Sequence, residues 1–74
     1  MLTIQVTPRK RVYVTFTEDT HPNKGGYYCE VYADEDLQRE LDNFVIHNYE
    51  LRGADDVQKR ANVLAIRKVK YMFG

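Results

Sequence analysis

Polar and apolar residues alternate over Leu2–Thr7, with Leu2, Ile4 and Val6 on one side and Thr3, Gln5 and Thr7 on the other. A two-residue period of this kind is the mark of a half-buried β-strand. Pro8 interrupts the run, and the basic triplet Arg9, Lys10, Arg11 follows. So short a span suits a tight hairpin connection. A second alternation then sets Val12, Val14 and Phe16 on one face and Tyr13, Thr15 and Thr17 on the other. Residues 18–26 have no period and contain His21, Pro22, Asn23, Lys24, Gly25 and Gly26, which is loop chemistry. A third strand is predicted over 27–33, with Tyr27, Cys29 and Val31 inward and Tyr28, Glu30 and Tyr32 outward. Three successive strands with short links predict an antiparallel meander.

The pattern then changes. Leu37, Leu41, Phe44 and Val45, followed by Asn48 or Tyr49, recur at helical spacing, and Arg39, Glu40, Asp42 and Asn43 fall between them. Asp34 is a suitable N-cap, Glu35 and Asp36 fit the first turn, and Arg52 with Gly53 makes a normal stop. The spacing therefore predicts the main helix over 34–52. Beyond it, 54–61 reads as a short helix. Over 62–73, Val63, Ala65, Val69, Tyr71 and Phe73 share strand parity, broken only by Arg67. One helix running on from Asp55 is the alternative, but it spreads apolar groups around most of its circumference. The β-branched and aromatic content favours a strand. The expected fold is a single α+β domain over 1–74: an antiparallel sheet of three N-terminal strands and a C-terminal fourth, with one helix packed on one face.

Length and composition narrow the class. With 74 residues, 43% of them hydrophobic and 30% charged, the chain is too apolar for a disordered tail. The longest apolar run, Val63-Leu64-Ala65-Ile66, is far too short to cross a membrane as a helix. The single cysteine, Cys29, excludes an internal disulfide, and the opening residues do not read as a secretion signal; a reducing, cytoplasmic setting is the expectation. A core this small supplies a thin margin of stability, which oligomerisation would supplement.

The formal net charge is zero, but it is sorted by segment. Residues 1–17 carry +3, residues 18–50 carry −7 and residues 51–74 carry +4. With the last segment as a strand beside the first two, the sheet becomes the cationic side and the acidic helix covers its opposite face. Tyr13, Tyr28 and Tyr32 fall on the outward strand face. Outward tyrosines serve protein interfaces, where they bury much area at low entropic cost, and single-stranded nucleic acids, where bases stack on the rings. They also occur as plain cross-strand pairs. The expected binding set is therefore Tyr13, Tyr28, Tyr32 and Arg11 with Arg67, Lys68 and Lys70. The expected function is a non-enzymatic, regulatory interaction module that binds a protein partner or a second copy of itself as a homodimer. The alternative occupant of the same face is single-stranded nucleic acid, although the paired glycine–aromatic consensus of an RNA-recognition sheet is missing.

Catalytic chemistry finds little support. A cysteine–histidine couple needs an accessible thiol, whereas Cys29 holds an inward strand position. His21, Cys29 and His47 are too far apart in sequence for the paired ligands of a zinc site. Gly25-Gly26 precedes a strand rather than the helix that a phosphate loop requires. Asp34-Glu35-Asp36 lacks the alternation and central glycine of a calcium loop. No cofactor, metal, membrane or small-molecule substrate is expected.

Overall fold

The structure, a computed structural model, describes residues 1–74. Four strands and one long helix make up the fold: β1 (Leu2–Thr7), β2 (Lys10–Glu18), β3 (Tyr27–Tyr32), β4 (Glu40–Ile46), a 3₁₀ turn (Asn48–Leu51) and α1 (Val57–Phe73). The sheet is an antiparallel meander in the order β1-β2-β3-β4, so β1 and β4 are both open edges. The helix crosses one face, touching β1, β4 and the 3₁₀ turn. No helix is long and apolar enough to cross a membrane.

The first three strands follow the alternation read from the sequence. Ile4, Val12, Val14, Cys29 and Val31 point to the helix side and are buried, and Phe16 and Tyr27 flank them with rings in an edge-to-face pair 5.9 Å apart. The β2–β3 loop is held at its base. The Asn23 side chain donates to the Ile46 carbonyl at 3.0 Å and accepts from the Asn48 amide at 2.7 Å. Gly26 lies against both groups, where a Cβ would collide with the Ile46 carbonyl and the Asn23 amide group.

The second half corrects the sequence reading. Residues 34–52 are not a helix. Asp34 accepts from the Leu37 amide in a turn that sets Leu37 at a φ of +59°, and the chain then runs as β4. Leu41, Phe44 and Ile46 face the core, whereas Val45, expected on the same stripe as Leu41 and Phe44, takes the opposite face. Phe44, Val45 and Ile46 are strong strand formers, and β3 offers them an unfilled edge of amides and carbonyls. A register shift opposite Val31/Tyr32 fits Leu41 into the core. His47 caps the 3₁₀ turn, and Gly53, at a φ of +80°, turns the chain toward α1.

Nor is 62–73 a strand. Asp56 caps a single helix by accepting from the Lys59 amide at 3.1 Å. Ala61, Leu64, Ala65 and Val69 form its buried stripe, and the two alanines let the helix axis lie close to the sheet. Val63 and Ile66 are half-buried on its flanks, so the apolar girdle that argued against a helix is tolerated. The four-stranded antiparallel α+β architecture stands, with the fourth strand and the helix exchanged in sequence order.

Candidate interaction surfaces

The sheet face turned away from α1 has no element over it. Cross-strand register arranges it in rows: Thr3, Tyr13, Tyr32 and Glu40; then Thr15, Glu30 and Asn43; then Thr17, Tyr28 and Val45. Arg11 sits at the end near the β1–β2 turn, opposite Gln5, and its Nε donates to Gln5 Oε1 at 3.0 Å. Tyr13, Tyr28, Tyr32 and Arg11 thus share one face as the alternation predicted. Tyr13 and Tyr32 are direct cross-strand neighbours and half-buried, while Tyr28 is exposed.

This face is acidic where a basic one was expected. Hydrogen bonding with Glu30 holds the Glu40 carboxyl above its ordinary value, helped by desolvation and by the charges of Glu30 and Asp42. Desolvation pushes the Tyr32 phenol up as well, reinforced by Glu30 and Glu40. Glu30 contributes to both shifts. The register of β3 with β4 gathers carboxylates around a tyrosine and supplies no cation among them. Glu30 was legible from parity in the sequence. Glu40 and Val45 were not, because their segment read as a helix.

Arg67, Lys68 and Lys70 lie on α1, on the far side of the sheet from the tyrosines, so the expected composite site divides into two. The helix contains Lys59, Arg60, Arg67, Lys68 and Lys70 and no acidic residue, so the cationic element is the helix and not the sheet. Lys68 is the one cation in an ion pair, its Nζ 3.3 Å from Glu50 Oε1. Burial works to raise the Glu50 carboxyl, but the His47 amide, donating at 2.8 Å, and the Lys68 ammonium outweigh it and bring it below the ordinary value.

The residues weighed for chemistry are dispersed. Cys29 is fully buried, and desolvation pushes its thiol up to about 12 against a weaker opposing pull from Lys68. A thiol so protonated is a poor nucleophile. His47 stacks on Tyr49 with ring centroids 5.1 Å apart, and His21 is exposed in the β2–β3 loop. The largest concavity is an open cleft of about 580 Å³ between the 3₁₀ turn and the start of α1, where Glu50, Asp55 and Asp56 mingle with Arg52, Lys59 and Arg60. Compared with protein-family models, with curated proteins and with solved structures, the chain matches none.

Proposed function

We propose that the chain is a non-enzymatic interaction module whose bare sheet face docks a protein partner carrying cationic side chains around an apolar centre. One observation carries this reading: Tyr13, Tyr28, Tyr32 and Val45 share a face that nothing in the chain covers, and Glu30 and Glu40 stand among them. Tyrosines supply contact area at little entropic cost, and the carboxylates select the partner's charge. The same carboxylates favour a cationic protein over the phosphates of single-stranded nucleic acid. The open β1 and β4 edges border the face and offer backbone pairing to the same partner.

The test places a photo-crosslinking amino acid at Tyr28, or at Tyr71 on the helix side as control, in the cell that makes the protein. Expected is one dominant protein adduct from position 28, reduced at least tenfold by Glu30→Lys with Glu40→Lys and missing from position 71. An adduct that is insensitive to the charge reversal, or equal yields from both positions, would overturn the reading. Sedimentation of the purified chain then tells a second copy from a different partner.

A further inference from the structure

We propose that the outward face of α1, bordered by the β1–β2 turn, is a second binding surface, and that its ligand is the phosphate backbone of a nucleic-acid duplex. The inference stands independently of the sheet face, which lies on the other side of the molecule. It starts from the placement of charge around the helix. At about 100° per residue, Lys59, Arg60, Arg67 and Lys70 fall within an arc of about 100°. That arc is opposite the stripe of Ala61, Leu64, Ala65 and Val69 that the sheet buries. All four cations are exposed, and none has a carboxylate within ion-pair distance. Lys59 and Arg60 share the cleft at the start of the helix with Glu50, Asp55 and Asp56, whereas Arg67 and Lys70 have no acidic residue on the helix beside them.

Lys10 Nζ lies 4.4 Å from the centroid of the Phe73 ring, which brings the β1–β2 turn, with Arg9 beside it, up to the last turn of α1. Lys10 thus borders the C-terminal end of the arc, and the four helix cations form the surface itself. From Lys59 to Lys70 the helix rises about 16 Å, a distance over which each strand of a duplex presents about five phosphates.

Charge complementarity and shape together choose the ligand. An acidic lipid surface attracts cations too, but binds firmly where a helix also has a free apolar face to insert, and the apolar face of α1 is already spent on the sheet. A single strand needs a platform of aromatic rings. The cationic face offers only Tyr71, 91% exposed. A regular array of duplex phosphates needs nothing beyond cations held at fixed spacing on a rigid support. Phosphate contacts carry no base information, so binding is expected to be independent of sequence.

The experiment is fluorescence anisotropy with a mixed-sequence 20-base-pair DNA duplex, between 50 and 200 mM salt. Four phosphate contacts predict a slope of log K against log salt near −3.6, which is a loss of about 150-fold across that range. Arg67→Glu with Lys70→Glu removes two contacts and should bring the slope to about −1.8, with at least tenfold weaker binding at 50 mM. Tyr28→Glu, on the opposite side, should change neither quantity. Circular dichroism checks that the variants fold, which the exposure of both helix residues favours. No binding at 50 mM salt would overturn the proposal. So would a slope unchanged by the double reversal, tighter binding of a single strand of equal length, or equal affinity for a poly-glutamate peptide. Because the Tyr28→Glu and helix variants report on separate faces, failure here leaves the sheet-face reading to its own test.

Discussion

The bare sheet face and the outward face of α1 are both polar surfaces of one small domain, and they treat charge in opposite ways. On the sheet, β3–β4 register brings Glu30 and Glu40 together beside Tyr32, and the Glu40 carboxyl is held above its ordinary value. On the helix side, Glu50 meets Lys68 at 3.3 Å and the His47 amide at 2.8 Å, and its carboxyl is held below it. Two residues of one type, ten positions apart, are thus shifted in opposite directions by what tertiary contact puts beside them. Like charges held together on an open face cost folding free energy, and on the sheet no cation offsets them across the β3–β4 register. The Glu50–Lys68 pair points inward, tying the 3₁₀ turn to the helix.

Three experiments break or sharpen this contrast. The largest effect comes from the core that both faces share. Ile46 is fully buried at the end of β4, and its carbonyl receives the Asn23 side chain. Ile46→Ala should cost about 2–5 kcal/mol in urea unfolding, a large part of what a chain this size possesses. Both surfaces should then be lost in one transition. Separate transitions for sheet and helix would show that the two faces do not depend on one core.

Next in size is Glu50→Gln. A carboxyl with a lowered folded-state value stabilises the fold above its unfolded value and loses that contribution as pH falls through the folded one. Because the pair is only half-buried and partly screened by solvent, the variant should be less stable than wild type at pH 7 by up to about 1 kcal/mol. The difference should close as the pH is lowered beneath the ordinary value of 4.5. A gap that persists in acid would assign the effect to packing rather than charge.

The smallest effect, and the sharpest in sign, is that of Glu40→Gln. Here the folded-state value is raised, so the folded protein takes up the proton first and stability declines as pH rises through that value. Removing the charge should leave the neutral-pH melting temperature unchanged or higher, the reverse of Glu50→Gln. It should also lower the pH at which the Tyr32 phenol titrates by ultraviolet absorbance, since Glu40 contributes to that shift. A melting temperature that falls at pH 7 would mean that Glu40 has a stabilising partner on the sheet, and the contrast between the faces would fail.

The two surfaces were unequally legible. Parity alone put Tyr13, Tyr28, Tyr32 and Glu30 on one side of the strands, because a strand turns successive side chains to opposite faces whatever it packs against. The helix side was obscured by the mistaken strand over 62–73, which drew Arg67, Lys68 and Lys70 toward the tyrosines. Signals for α1 were present in Asp56 as a cap and in the run of Lys, Arg, Ala and Leu that follows. The strand parity of Val63, Ala65, Val69, Tyr71 and Phe73 competed with them.

By itself, then, the sequence determined β1 to β3, the loop over 18–26, the faces of their side chains and the segregation of charge into a basic, an acidic and a basic segment. Each of these follows from local chemistry: a two-residue period, the turn residues, the order of charges. Tertiary structure alone decided which of the two later segments became strand and which became helix. Leu41, Phe44 and Val45 satisfy helical spacing as readily as a bulged strand does, and a short apolar run carries no periodicity that separates the two. The open edge of β3 resolved the ambiguity by offering backbone partners to 40–46. The apolar face of the completed sheet then needed a cover, and 57–73, with Ala61 and Ala65 for close approach, was the segment left to provide it.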